Sequence, residues 1–78
     1  MDNRARILRA IDKNIADARE MIAKCEAQAD GFAQMRPTWL MRQKTIDRRI
    51  ALFTREAEQW RRRLAQAEAQ RATIQSAD

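Results

Sequence analysis

The chain has 78 residues and a formal net charge of +5, with no histidine, one cysteine, one glycine and one proline. A single cysteine excludes an internal disulfide, and without histidine there is no zinc site of the usual nitrogen or sulfur kind. No apolar run approaches the roughly 18 residues of a membrane span, and the N-terminus lacks a signal-peptide stretch. We therefore expect a cytoplasmic protein with a reduced Cys25 and no cofactor.

The composition favours helices. Alanine accounts for 15 residues, whereas valine and tyrosine, which favour strands, are absent. An all-α protein follows. Arginine outnumbers lysine 13 to 3, which a GC-rich bacterial genome explains as well as a need to bind phosphate or carboxylate groups.

The first half of the chain carries an unbroken heptad repeat, with apolar residues at positions a and d. Position a holds Leu8, Ile15, Ile22 and Ala29, and position d holds Ile11, Ala18, Cys25 and Phe32. Such a period predicts a helix with a narrow seam that stays in contact with another helix.

A second heptad strip occupies the second half of the chain. Its d positions hold Trp39, Ile46, Phe53, Trp60, Ala67 and Ile74, and its a positions hold Gln43, Ile50, Ala57, Leu64 and Arg71. This strip predicts a second helix that packs on the first, and it places both tryptophans in the core rather than on a surface where they could stack on bases.

The two strips are interrupted only between residues 31 and 38. Pro37 cannot lie in a helix interior and disfavours helical geometry at Arg36, and Thr38 can cap a following helix. Gly31 would end the first helix near residue 30, but Phe32 still fits its heptad, so we prefer a helix that reaches about residue 34.

The sequence therefore predicts one helical hairpin domain over residues 1–78, coiled-coil-like and antiparallel. Its predicted segments are helix one at about 3–34, a turn at about 31–38, helix two at about 38–72 and a frayed tail at 73–78. Folding at the turn pairs residues whose numbers add to roughly 71, so Ala57 meets Ile15 and the residues beyond Ala67 overhang.

Two helices alone bury only one seam, and several apolar residues lie outside it. They are Ile7, Met21, Leu40, Met41 and Leu52. Their presence predicts a homodimer, most simply a four-helix bundle.

No residue pattern points to catalysis. Cys25 lies on the seam, where a small buried thiol is an ordinary core residue, and the carboxylates form no pair in an apolar pocket. We expect a protein that is not an enzyme.

Arginines form a stripe along one side of helix two, about 30 Å long at 1.5 Å per residue. Position f holds Arg48, Arg55 and Arg62, and position g holds Arg42, Arg49 and Arg63. In an antiparallel hairpin the two g edges meet, and helix one supplies no acid there, only Ile7, Asn14, Met21 and Gln28. Only Glu56 and Glu58, on helix two itself, can neutralise the stripe.

The other edge of the hairpin looks more ordinary. With the expected pairing, Asp12 meets Arg61, although Glu26 faces Asp47.

The arginine stripe is then a protein interface, a solvated face or a phosphate-binding strip. We favour the protein interface, because arginine and methionine are enriched in interfaces and Ile7 and Met21 lie beside the stripe.

A second cationic cluster, Arg36, Arg42 and Lys44, lies at the turn. It can be an anion-binding tip at the start of helix two, or its charge can be offset by Glu26 and Asp30 across the hairpin. We favour the second interpretation.

The function that best suits these features is a small protein-binding module: an adaptor, assembly factor or inhibitor. A complete bacterial or phage gene product that inhibits a host complex fits this description. The alternative is a nucleic-acid-binding protein whose phosphate contacts are made by the same arginines. No exposed aromatic residue beside the stripe supports this alternative. We expect no membrane partner, because an amphipathic helix needs a free apolar face and both faces are used in the seam.

Overall fold

The computed structural model describes residues 3–76 and shows an all-α hairpin. Helix α1 spans Asn3–Ala33 and helix α2 spans Gln43–Ser76, with no strand in this part of the chain. The helices run antiparallel, since Arg4 bonds to Gln75 at one end and the Phe32 ring stacks on that of Phe53 near the other. The Cα positions extend over 61 × 16 × 13 Å, so the molecule is a narrow rod.

The heptad positions make the core. Every buried residue in the described part of the chain occupies position a or d: Ile11, Ile15, Ala18 and Cys25 on α1, and Ile46, Ala57 and Ala67 on α2. The larger seam residues, such as Phe53, Trp60 and Leu64, are only half-buried, because two helices leave both sides of the seam open. The apolar interior is therefore thin.

Helix α1 continues through Gly31 and ends at Ala33, as the heptad match of Phe32 favoured. Gly31 does not adopt a positive φ, so it does not act as a left-handed helix stop. The last turn closes through hydrogen bonds from the Gln34 N–H to the Asp30 carbonyl and from the Met35 N–H to the Phe32 carbonyl.

Helix α2 begins at Gln43, five residues later than the expected start at 38. Thr38 does not cap it. Instead the Thr38 N–H donates to the Met41 carbonyl (2.9 Å) and the Met41 N–H donates to Thr38 Oγ1 (3.2 Å). These two bonds close a separate turn over residues 38–41, which takes Trp39 out of the helix and out of the core.

The later start of α2 changes the pairing of the helices. The numbers of Phe32 and Phe53 add to 85, and those of Arg4 and Gln75 add to 79, whereas the sequence predicted roughly 71. The reason is the longer connection, because residues 34–42 are used before α2 can turn back along α1.

The shifted pairing also corrects the predicted frayed tail. Helix α2 remains helical to Ser76, and Ala77 and Asp78 lie outside the described residues. Ile74 is half-buried and packs against a cluster formed by Ile11, Ile15 and Ala67. The C-terminal turns of α2 therefore reach the start of α1 instead of overhanging it.

At the connection end, α2 extends past the last residue of α1. Phe32 stacks on Phe53 and also lies beneath Arg49, so only the first turn of α2 extends past these contacts with α1. Ile46 nevertheless is only 1% exposed. Its burial makes Ile46 the best-packed side chain at the connection end of the hairpin.

Candidate functional site

One edge of the hairpin is closed by three ion pairs between α1 and α2. Arg61 pairs with Glu26, Arg71 Nε lies 2.6 Å from Asp12 Oδ1, and Arg19 lies 3.8 Å from Glu68. The predicted pairs Asp12–Arg61 and Glu26–Asp47 are wrong, because the register shift places Arg71 opposite Asp12 and Arg61 opposite Glu26. Exposed pairs stabilise little, but together they favour this register over the predicted one.

The opposite edge, where the two g positions meet, has no such pair among the described residues. The predicted partner-binding arginines lie there and on the adjoining face of α2, and all of them are exposed: Arg42, Arg48, Arg49, Arg55, Arg62 and Arg63. Within residues 3–76, no ion pair links any of the six to an acid. The hairpin is thus electrostatically two-sided, with acids and bases matched on one edge and arginines unmatched on the other.

Two of these arginines lie over aromatic rings of the seam. The Arg49 guanidinium carbon is 5.6 Å from the centre of the Phe32 ring, and that of Arg63 is 4.5 Å from Trp60. A guanidinium over a ring face is held by cation–π attraction, and its N–H edge stays available for a carboxylate or phosphate. The sequence indicated the position of these arginines but not their aromatic support.

Apolar surface adjoins the arginines on the same edge. Ile7 is 47% exposed and lines a shallow groove with Ile11 and Ile74, and Met21 is half-buried. A neighbouring groove is lined by Ala18, Trp60 and Arg63 among others, and Asp17 adds one acid to it without forming an ion pair. We call this surface the g edge: the six arginines together with Ile7 and Met21.

Cys25 is buried in the seam and is not placed for nucleophilic chemistry. Its thiol lies 3.9 Å from Glu56 Oε2. Burial raises the pKa of Cys25, and the neighbouring Glu56 carboxylate raises this pKa further. The thiolate, which is the reactive form, is therefore disfavoured at neutral pH.

The connection end carries the second predicted site, Arg36, Arg42 and Lys44, and all three residues are exposed. Their charge is not offset as predicted. Glu26 pairs with Arg61 instead, and no ion pair in the described part of the chain joins Asp30 to the three cations. The first turn of α2 contains no acid, so the positive charge at this end stands uncompensated.

Two apolar side chains are exposed at this end: Leu40, which was predicted to lie outside the seam, and Trp39, which was predicted to lie in it. Trp39 is 85% exposed and Leu40 is 76% exposed, at the centre of the turn closed by Thr38 and Met41. The sequence signal that could have indicated the exposure of Trp39 was its position only two residues after Pro37, within the turn. The heptad count, extended through the break, assigned Trp39 to the core instead.

The described residues contain no group of three or more metal-binding side chains that could hold an ion. Within residues 3–76, neither helix is long and apolar enough to cross a membrane. Comparison with protein-family models, with curated proteins and with solved structures finds no match to this chain.

Proposed function

We propose that the protein is a small non-enzymatic binding module that docks on another protein through the g edge. The observation that carries this proposal is the contrast between the two edges. Among residues 3–76, all three ion pairs between α1 and α2 lie on one edge, while six exposed arginines on the other side have no acidic partner. An acidic partner surface would supply the missing charge.

The aromatic support of the g edge strengthens the case for a protein partner. Arginine and tryptophan are enriched at interface hot spots, methionine is enriched in interfaces generally, and ordered side chains lose less entropy on binding. Arg63 over Trp60 and Arg49 over Phe32 are such pre-ordered groups. An adaptor, an assembly factor or an inhibitor of a larger complex would use a surface of this kind.

The half-buried seam also supports self-association. Trp60, Phe53 and Leu64 keep part of their surface exposed, and a second hairpin packed on the open seam would cover it in a four-helix bundle. We expect a dimer at micromolar concentration. Sedimentation equilibrium measures this directly, and a folded monomer throughout that range would contradict it.

The partner interface is tested by the double variant Arg49→Glu and Arg63→Glu. We expect it to abolish capture of the partner from a lysate of the source cells, because it replaces two central cations by acids that repel an acidic surface. A matched control is Arg9→Glu with Lys13→Glu, which makes the same charge change on an exposed part of α1. Equal loss in both variants would show a general charge effect and contradict a specific interface.

The alternative function, nucleic-acid binding through the same arginines, is supported by the linear array of exposed cations on α2. The variant Met21→Ala separates the two, since it changes no charge. A protein partner should bind it more weakly, whereas DNA or RNA should bind it normally and lose affinity steeply with salt. Persistence of capture after nuclease treatment would support the protein partner.

A further inference from the structure

We propose that the connection end of the rod is a docking tip for an anionic membrane surface. The tip consists of Trp39 and Leu40, which would enter the lipid interface, and Arg36, Arg42 and Lys44, which would contact acidic headgroups. This inference is tested independently of the proposed function, because its variants leave every residue of the g edge unchanged, including Arg42, which the two surfaces share.

The first step is that the apolar side chains are displayed by a built turn. The reciprocal bonds between Thr38 and Met41 fix the backbone on both sides of Trp39 and Leu40. Ile46, in the first turn of α2 that follows this segment, is buried. The two largest exposed apolar surfaces of the described chain are therefore adjacent and held outward at the end of the rod.

The second step is the charge around them. Residues 31–46 contain three basic residues and no acid. Asp47, the next acid along the chain, accepts a hydrogen bond from the Gln43 amide at 2.7 Å. Exposed apolar side chains with exposed cations in the same segment complement a bilayer that contains acidic lipid, where tryptophan prefers the interface and each lysine or arginine adds attraction.

The third step is the size of the tip. Two helices side by side, each about 10 Å across, have an end of roughly 200 Å². A stable protein interface buries about 800 Å² on each partner, so the end alone is too small for one. Shallow insertion into a bilayer sets no such minimum. A single tryptophan also offers only one stacking platform for a nucleic acid, while Leu40 offers none.

The sequence argued against a membrane because the apolar positions, Trp39 included, were assigned to the seam. In the structure Trp39 is exposed and does not lie in the seam, so the argument against a membrane does not apply to it. The attachment proposed is peripheral and end-on, so it needs neither a spanning helix nor a free amphipathic face.

The test uses the full chain and vesicles of phosphatidylcholine alone or mixed with phosphatidylglycerol. In the variant Trp60→Phe, Trp39 is the only tryptophan, and we expect its fluorescence to shift to shorter wavelength with the mixed vesicles only. Co-sedimentation of the unmodified protein provides a second measurement that does not depend on the substitution in the seam.

Variants of the tip separate insertion from general charge attraction. We expect Trp39→Ser with Leu40→Ser to lower the partition coefficient by about tenfold or more, while Leu52→Ser, an exposed apolar residue on α2, leaves it unchanged. Arg36→Gln with Lys44→Gln should lower it roughly tenfold to thirtyfold, and the charge-matched Arg9→Gln with Lys13→Gln should have a much smaller effect.

Three results would overturn the proposal. One is the absence of binding to either vesicle. Another is equal weakening by the tip variants and their matched controls, which would show non-specific attraction of a basic protein. The third is a shift of Trp39 fluorescence with a single-stranded oligonucleotide but not with vesicles, which would make the tip a nucleic-acid contact.

Discussion

Replacing Ala57 by arginine is expected to unfold the hairpin. Ala57 is 2% exposed and lies in the seam, where it lines a groove with Cys25 and Phe53. An uncompensated charge buried there costs about 3–5 kcal/mol. A domain of this size has roughly 5 kcal/mol of stability, so little or none would remain. The helical circular dichroism signal and its thermal transition measure the loss.

The matched control for this substitution is Ala65→Arg, on the same helix but exposed. It makes the same change in size, charge and helix propensity without burying the new side chain. We expect its melting temperature to stay within a few degrees of that of the unmodified protein. Similar melting of the two variants would mean that α2 does not bury Ala57 against α1.

Replacing Ile46 by alanine is expected to release the connection from α2. Ile46 is the largest fully buried side chain, and removal of such a side chain costs about 2–5 kcal/mol because a cavity remains. Denaturant unfolding should show this loss, and trypsin should cut faster after Arg42 and Lys44. The half-buried Ile50 provides the control, since Ile50→Ala removes the same atoms with a smaller expected cost. Unchanged cleavage in the Ile46 variant would contradict a packed connection.

The sequence predicts the helices and the seam because a heptad repeat keeps the same face of each helix in contact with the other helix. From Leu8 to Ile74, the a and d positions are buried or half-buried, with two exceptions at the start of the second strip, Trp39 and Gln43. Both exceptions lie where α2 had not begun or had just begun. A repeat can be counted through a turn, but only a residue that is helical and faces a partner is buried by it.

The register could not be predicted from the repeat, because sliding one helix by a full heptad keeps every seam residue in the seam. It depends on where the connection ends, and that depends on the hydrogen bonds of Thr38 and Met41. Charge patterns carried a further signal. The predicted register set Glu26 against Asp47, and that repulsion disappears when Glu26 meets Arg61.

The candidate sites were predicted in part. The arginine positions on α2 follow from helical spacing, and the absence of acids on the facing edge of α1 follows from the same count. The contacts of Arg49 and Arg63 with aromatic rings depend on side-chain conformations that spacing does not specify. The exposure of Trp39 and Leu40 depends on the conformation of the turn. The position of the turn could be predicted from the sequence, but its conformation could not.

The position of the apolar cluster has a consequence for how the hairpin forms. Contacts near the connection, such as Phe32 with Phe53, close a short loop, whereas contacts at the open end join residues far apart in the chain and close at a greater entropic cost. The cluster of Ile11, Ile15 and Ala67, with Leu64 and Ile74 packed on it, lies toward that distant end. This cluster holds the open ends of the two helices together. We therefore expect the backbone amides of α1 near Ile11 to be protected from hydrogen exchange, whereas without the cluster protection would decrease steadily with distance from the connection.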